Sequence, residues 1–162
     1  MTTQLRPARP TDLVPVRDVF LTCWRTAYRD VLPQATLDAM TESDAGALWR
    51  AALADPGSET LVADDGGRVV GVVRWTPQDA TVQSLYVDPG HQGHGTGAAL
   101  LDAAIRSFAG QGLHRARLWV FEANVAARAF YEHRGWVPDG ATRVEEQFGV
   151  PELRLERALE TP

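Results

Sequence analysis

Three glycines within five positions, at Gly93, Gly95 and Gly97, form the part of the sequence best suited to bind an anion. The segment Val82–Val87 has strand character, and Asp88-Pro89-Gly90 ends it with strong turn residues. Apolar residues at helical spacing follow the glycines: Ala98, Leu101, Ile105 and Phe108. At the start of this helix the backbone N–H groups are unpaired, and the helix dipole adds partial positive charge. Because the glycines leave these groups uncovered by side chains, the segment predicts a phosphate or pyrophosphate site.

Two nucleotide-binding motifs do not fit this spacing. The Walker motif needs Lys-Ser/Thr after its last glycine, whereas Ala98-Ala99 stand there. The Rossmann motif has the spacing G-x-G-x-x-G, whereas these glycines run G-x-G-x-G. A nucleotide hydrolase is therefore a remote interpretation. The remaining alternative to a phosphate site is a flexible loop whose glycines merely ease the start of the helix.

Q-x-x-G-x-G after a strand ending in L-Y-V-D-P resembles the acetyl-CoA pyrophosphate loop of the GNAT superfamily of N-acetyltransferases, with Gln92, Gly95 and Gly97 at its fixed positions. The block Leu118–Trp136 resembles the family's next strand, its Asn, and a helix with a Tyr before a Gly-aromatic pair. Cys23–Pro33 is similar to the first-helix signature of one GNAT branch. Together the blocks cover nearly the whole chain in the family's order.

The resemblance implies an α/β (α+β) fold. Its central sheet would be mixed but mostly antiparallel, with six to seven strands and about four helices. The strand before the glycines and the strand after the next helix would run parallel and splay apart, and CoA would bind in the gap between them.

The resemblance also implies acetyl-CoA as the cosubstrate. The pantetheine arm would pair with the main chain at Leu85 and Val87, as an added strand does. The pyrophosphate would lie on six consecutive residues: Gln92, Gly93, His94, Gly95, Thr96 and Gly97. Asn124 is suited to cap the following helix, and the resemblance adds a hydrogen bond to the pantetheine arm. The two roles are compatible.

Tyr131 is the residue that the resemblance assigns as the general acid. A Tyr with an ordinary pKa of about 10 keeps its proton at neutral pH and can give it to a departing thiolate. It lies two helical turns after Asn124, on the same face, and Tyr131 would also contact the cofactor. The alternative is simple packing beside Phe130.

The general base is not evident from the sequence. Many relatives carry a Glu on the strand before the phosphate loop, whereas this strand offers Gln83, Ser84 and Tyr86. We therefore expect a water relay touching Ser84, or a carboxylate from elsewhere such as Glu122. The missing carboxylate also motivates another interpretation, a catalytically silent acyl-CoA sensor or interaction domain with the same fold.

Residues for the acceptor are proposed in two regions. Trp24 and Tyr28 lie on or beside the apolar stripe of the first helix and face either the core or a substrate cleft. Glu145 and Glu146 are either a solvated strand face or contacts for a cationic amine, because the resemblance places the last hairpin beside the acceptor pocket. The acceptor would be a primary amine of a small molecule or peptide. Cys23 is better interpreted as a small residue of the core than as a nucleophile.

Composition bounds the remaining classes. A chain of 162 residues with 44% hydrophobic and 23% charged residues suits one globular domain over 1–162. The net charge of −5, with every basic residue an Arg, argues against nucleic acid and favours a cationic substrate. No apolar run has membrane-spanning length, and the single Cys23 fits a cytoplasmic protein. The resemblance makes a homodimer plausible.

No metal is predicted. His91 and His94 lie in the glycine loop, and they have no Cys or carboxylate neighbours at ligand spacing within it. His114 and His133 are expected at the ends of elements as solvated residues.

Local signals predict most element boundaries. Thr41 with Asp44 predicts a capping box, and Asp64–Gly67 predicts a hairpin turn. Strict alternation along the strand places Val82, Ser84 and Tyr86 on one side and Gln83, Leu85 and Val87 on the other. The strand Arg115–Phe121 is expected to alternate as well. Arg143–Gln147 and Glu152–Arg157 are predicted as the last two strands.

Overall fold

A computed structural model describes residues 2–160, and in this range seven strands form one sheet. The strands are β1 (Gln4–Pro7), β2 (Glu59–Asp65), β3 (Arg68–Thr76), β4 (Thr81–Val87), β5 (Arg115–Phe121), β6 (Val137–Val144) and β7 (Pro151–Ala158). The α-helices are α1 (Leu13–Ala27), α2 (Gln34–Ala39), α3 (Glu42–Ala54), α4 (Thr96–Gly110) and α5 (Val125–Glu132). Short 3-10 turns span Pro10–Asp12, Pro77–Asp79 and Pro89–His91. None of the helices within residues 2–160 has both the length and the apolar character needed to cross a membrane.

The sheet has the order β1-β2-β3-β4-β5-β7-β6, and among the strands of residues 2–160 only β4 and β5 pair in parallel. Their pairing is limited to Thr81 with Arg117 and Val82 with Leu118. Beyond these pairs the two strands separate. The mixed, mostly antiparallel sheet and its splayed parallel pair are therefore confirmed, and the helices number one more than expected.

A β-bulge at Gln83 changes which residues of β4 share a face. Opposite β3, Arg74 faces Ser84 while Trp75 faces Val82, so Gln83 is an extra residue. Val82 consequently packs in the same core as Leu85 and Val87. The prediction that groups Val82 with Ser84 and Tyr86 is wrong, because strict alternation does not continue across a bulge.

Each face of the sheet is covered by its own helices and core. One face packs α4 against Ala116, Leu118 and Val120, which alternate along β5 as the sequence predicts. The other face packs α1, α2 and α3, with Trp49 fully buried at its centre. Tyr86 of β4 and Phe121 of β5 belong to this second core. The gap between β4 and β5 therefore joins two differently built sides of the molecule.

Two predicted boundary signals are observed. The Thr41 hydroxyl accepts from the Asp44 N–H at 3.0 Å, and the Asp44 carboxylate accepts from the Thr41 N–H at 3.3 Å. This is the predicted capping box at the start of α3. In the hairpin between β2 and β3, the Gly67 N–H donates to Asp64 Oδ1 at 2.6 Å.

The predicted strand Arg143–Gln147 is mostly wrong. β6 ends at Val144, and the N–H groups of Phe148 and Gly149 donate to the Glu145 carbonyl at 3.0 and 2.9 Å. These hydrogen bonds close a turn where the strand was expected. The earlier part of β6 contains a register shift between Pro138 and Thr142.

Candidate active site

A cleft of about 890 Å³ runs through the gap between β4 and β5. One end lies at the glycine loop before α4, and the other is lined by the end of α1 and the turn between β6 and β7. Tyr131 reaches it from the α4 side of the sheet, whereas Tyr28 and Phe148 belong to the α1 side. The cleft therefore connects the two faces of the sheet.

The glycine end presents backbone N–H groups. Gly93 and Gly95 have φ angles of 81° and 83°, a left-handed conformation that suits glycine. The first backbone hydrogen bond of α4 runs from the Ala99 N–H to the Gly95 carbonyl at 2.9 Å. The amides of Thr96, Gly97 and Ala98 consequently have no intrahelical acceptor. Together with the dipole of a 15-residue helix, these N–H groups are suited to bind an anion.

Gln92 links this loop to the end of β4 by a side-chain hydrogen bond. Its Nε2 donates to the Val87 carbonyl at 3.0 Å, and the Cys23 thiol donates to the same oxygen at 3.2 Å. Burial raises the pKa of Cys23 to about 11, so this cysteine is a buried thiol of the core. At Gly97, a Cβ would lie 3.6 Å from Phe130 and from Val87, a close but ordinary contact.

The predicted phosphate-loop residues divide into two groups. Gln92, Gly93, Gly95 and Gly97 line the cleft. The His94 side chain is exposed and the Thr96 side chain is buried, and neither is among the residues that line the cleft. Neither side chain is therefore placed to contact a ligand in the cleft.

The backbone of Leu85 and Val87 faces the gap. The Asp88 N–H donates to Val70 of β3 at 2.8 Å, so the Val87 carbonyl on the other side of that peptide points away from β3. Its bonds to Gln92 and Cys23 agree with this direction. Leu85, two residues earlier, has the same orientation. Because the Val87 carbonyl already has partners, the groups left for a ligand are the two N–H groups and the Leu85 carbonyl.

Asn124 caps α5. Its Oδ1 accepts from the Ala127 N–H at 3.2 Å, as predicted from its position. Asn124 also lines the cleft. Since the cap uses the oxygen, the side-chain NH₂ is the group left to face a ligand.

Tyr131 lies on α5 and lines the cleft beside Phe130 and Trp136, with ring centroids 5.2 and 6.0 Å away. Burial, with a smaller contribution from Tyr28, raises the pKa of Tyr131 above its ordinary value. The phenol therefore keeps its proton throughout the physiological pH range.

The far end of the cleft has aromatic walls. Tyr28 contacts Trp24 and Phe121 edge-on, at centroid distances of 5.4 and 5.3 Å. Phe148 lies 5.9 Å from Trp24 and 5.3 Å from Phe121. Trp24 is a core residue with only 4% exposure, and it still lines the cleft as Tyr28 does. Both predicted positions are thus brought to one place.

Of the carboxylates predicted at the site, one lines the cleft and two do not. Glu145 lines the cleft and pairs with Arg143 at 2.6 Å. Glu122 and Glu146 are exposed and are not among the lining residues. Ser84 does line the cleft, on the α1 side.

Sequence reasoning missed Glu152, a buried carboxylate at this end of the cleft. Its Oε2 accepts from Arg143 Nε at 2.8 Å. Burial raises the pKa of Glu152, and Arg143 partly opposes the shift. The only signal in the sequence was the alternation of polar and apolar residues, with Glu152 on the side of the strand opposite Leu153 and Leu155. The same pattern is expected when the polar side of a strand faces solvent.

A model described as the acetyltransferase (GNAT) family matches residues 15–136, from α1 to the start of the last hairpin. The chain belongs to the GNAT family of acetyltransferases. The matched range includes the glycine loop, the splayed strand pair and Tyr131, and it ends before β6 and β7.

Two curated GNAT relatives are similar to parts of the chain. Mycothiol acetyltransferase of Beutenbergia cavernae is 41% identical over 101 residues, which cover 60% of this chain and 33% of that protein. The chain thus spans about a third of that relative's length. A probable N-acetyltransferase of Mycobacterium tuberculosis is 29% identical over 149 residues, covering 86% of this chain and 82% of that one.

The GNAT fold is also found in solved structures. The PaiA N-acetyltransferase of Thermoplasma acidophilum, crystallised in complex with coenzyme A, has a TM-score of 0.80. The similarity covers 98% of this chain and 99% of that chain at 16% sequence identity. At this identity the comparison establishes the fold.

Proposed function

We propose that the protein is an N-acetyltransferase that moves the acetyl group of acetyl-CoA directly to a primary amine of a small molecule or peptide. The observation that carries this proposal is one continuous cleft with an anion site at one end and an aromatic, acidic pocket at the other. A long phosphorylated thioester fits such a path, and the coenzyme A complex of PaiA has the same fold. Both substrates would meet where the cleft crosses the sheet.

The cofactor contacts follow from the free backbone groups. The pyrophosphate would accept hydrogen bonds from the amides at the start of α4, within the segment Gln92–Gly97. The pantetheine arm would pair with Leu85 and Val87 along the gap side of β4. The Asn124 NH₂ would donate to a carbonyl of the same arm.

Acetyl transfer needs three things at the reacting carbon. The amine must lose a proton, the tetrahedral oxyanion needs a donor, and the thiolate must gain a proton. A main-chain N–H in the segment Leu85–Val87 is the proposed oxyanion donor. Tyr131 is the proposed acid, because its protonated phenol borders the cleft on the cofactor side.

The acceptor would lie among Trp24, Tyr28 and Glu145, with Ser84 holding a water near the amine. Glu122 and Glu146 take no part in this proposal, because both side chains lie outside the cleft. A negatively charged protein favours an acceptor that arrives as a cation.

Turnover separates this function from a silent acyl-CoA sensor, the alternative favoured by the lack of a carboxylate on β4. We expect thiol release from acetyl-CoA with at least one primary amine in a panel. Tyr131→Phe should lower kcat at least about tenfold, because the thiolate loses its proton donor. Acetyl-CoA affinity, measured by calorimetry, should stay close to that of the unmodified protein.

One result would contradict the proposed function, and another would contradict only the role of Tyr131. Acetyl-CoA binding without turnover across a broad panel of amines would favour the sensor. Undiminished turnover in Tyr131→Phe would keep the acetyltransferase and remove Tyr131 as its acid.

A further inference from the structure

We propose that Glu152 is the carboxylate that binds the acceptor's ammonium group and accepts its proton. This inference rests on the proposed function and supplies the general base that β4 lacks. It also defines the acceptor as a primary amine on a compact apolar or aromatic body.

The position of Glu152 is fixed by both neighbours of β7. The sheet register places it beside Phe121 of β5 on one side and Arg143 of β6 on the other. Its side chain is therefore on the face of the sheet that carries α1, where Tyr28 also lies. Only 4% of the residue is exposed, and it lines the cleft.

One oxygen of this carboxylate is held and the other is available. Oε2 accepts from Arg143 Nε at 2.8 Å. Within residues 2–160, no group donates a hydrogen bond to Oε1. Oε1 keeps accessible surface at the cleft, so an ammonium group in the cleft can donate a charge-assisted hydrogen bond to it.

Arg143 favours the ionised form of Glu152, whereas burial and Glu145 raise the pKa of its carboxyl group. The charged or titratable groups that face it are Arg143 on β6, Glu145 in the following turn and Tyr28 at the end of α1. Arg143 is held in place over the Trp119 ring, with its guanidinium carbon 4.2 Å from the ring centroid. Arg154, on the same face of β7, is paired with Asp139. Arg143 is thus the cation that stabilises the Glu152 carboxylate.

The walls around Glu152 select the body of the acceptor. Aromatic rings from Trp24, Tyr28, Phe121 and Phe148 border this end of the cleft. Their faces attract an ammonium group, and their area suits an apolar substituent. Met40 and Leu48 extend the lining with aliphatic surface. A strongly anionic or extended polar acceptor would find few partners there.

The proton balance of the reaction is complete with these groups. The ammonium R–NH₃⁺ gives one proton to Glu152, and the free amine forms a C–N bond with the thioester carbon. The C–S bond then breaks, Tyr131 protonates the thiolate, and the nitrogen loses its second proton to water. Solvent restores the proton of Tyr131 and removes that of Glu152. The sum is an amide, CoA thiol and one released proton.

The test compares Glu152→Gln with Glu156→Gln, using 2-phenylethylamine as the acceptor. Glu156 is a matched control, because it lies on the same face of β7 and pairs with Arg115 at 3.4 Å, away from the cleft. Glu152→Gln should lower kcat/KM about a hundredfold or more and abolish the loss of kcat toward low pH. Glu156→Gln should leave both kcat/KM and the pH dependence of kcat unchanged. The affinity for acetyl-CoA should be the same in the unmodified protein and in both variants.

Amine binding gives a second readout that needs no turnover. The CoA complex of the unmodified protein should bind 2-phenylethylamine more tightly than the neutral 2-phenylethanol, and this preference should disappear in Glu152→Gln. In the unmodified protein the preference should also weaken as the pH falls and Glu152 becomes protonated, since the amine stays charged throughout. This last measurement requires no variant.

The outcomes separate the two proposals. Turnover and amine preference that are unchanged in Glu152→Gln, or a preference independent of pH, overturn the role of Glu152 and leave the acetyltransferase intact. If amine binding depends on Glu152 but no turnover is seen, Glu152 recognises the ammonium group. The same result overturns the role of Glu152 as a base and the proposed acetyltransferase function.

Discussion

Tyr131 and Glu152 are shifted by the same physical effect, with opposite chemical results. Burial raises the pKa of both side chains. For Tyr131 the result is a phenol that keeps its proton, and for Glu152 it is a carboxylate with a greater tendency to accept one. They approach the cleft from opposite faces of the sheet, so the reacting carbon would lie between a donor and an acceptor of protons. Environments that divide two titratable groups in this way are typical of acid–base sites.

Asn124 caps α5 and is also proposed to contact the pantetheine arm, and the two roles can be separated by experiment. Asn124→Ala removes the helix cap and should lower the free energy of unfolding by about 1 kcal/mol. It should also raise the KM for acetyl-CoA about fivefold, through loss of one neutral hydrogen bond. Unfolding in urea and initial-rate kinetics measure the two effects.

Thr41→Ala is the matched control for Asn124, because it removes a cap of the same kind from α3. Thr41 is not among the residues that line the cleft. The control should lose similar stability and keep the acetyl-CoA KM. An increase of that KM in both variants would show that lost stability, rather than a lost contact, weakens cofactor use.

Among the elements, the loop before α4 is the one whose backbone geometry matters most to the proposed acetyl-CoA site. Gly95 has a φ of 83° and no atom within 4 Å of where a Cβ would stand. Gly95→Ala should cost about 1–2 kcal/mol of stability, because an L residue is strained in this conformation. It should also raise the Kd for acetyl-CoA about tenfold or more, since the phosphate loses well-aimed amides worth about 1.5–3 kcal/mol each.

Gly112 supplies the control at the other end of α4. Its φ is 77°, and there too a Cβ would meet nothing within 4 Å. Gly112→Ala should therefore lose similar stability while acetyl-CoA binds as before. Calorimetry and thermal unfolding on both variants test the difference, and unchanged affinity in Gly95→Ala would remove this loop from the cofactor site.

Features of the fold with local causes were predictable from the sequence. The Thr41 capping box, the Asp64–Gly67 turn and the start of α4 each depend on residues within four positions of one another. Features set by strand register were not. The bulge at Gln83 depends on how β4 pairs with β3, and the burial of Glu152 depends on its place between β5 and β6. In the sequence Glu152 therefore looked no different from Glu146, which is exposed.

At the scale of the whole molecule, the proposed cofactor and acceptor sites lie on opposite sides of the sheet. The family match covers the glycine loop, the splayed strands and Tyr131, from which the proposed cofactor site is built. The last two strands, beyond the matched range, supply Arg143 and Glu152. The proposed acceptor site thus lies partly outside the segment by which the family is recognised.

The first strand is fastened to the rest of the fold by a charge network that should make stability depend on pH. Arg6 of β1 pairs with Asp12 at 2.8 Å and with Asp64 of β2 at 2.9 Å. Its hydrogen bond holds the pKa of Asp12 below the ordinary value, although burial acts in the other direction. Asp12 also accepts from the Arg9 N–H at 2.7 Å.

A carboxylate with a lowered pKa stabilises the fold when it is ionised in both folded and unfolded states, above about pH 4. Its contribution is lost as the pH falls through the unfolded-state pKa toward the folded-state value.

Asp12→Asn should accordingly lower the free energy of unfolding by about 2 kcal/mol at pH 7, and this difference from the unmodified protein should shrink by pH 3. Urea unfolding at several pH values measures this, with Asp18→Asn, whose side chain is 59% exposed, as the control. A difference that stays constant from pH 7 to pH 3 would mean that Asp12 acts through packing or neutral hydrogen bonds, and that its charge adds nothing to the attachment of β1.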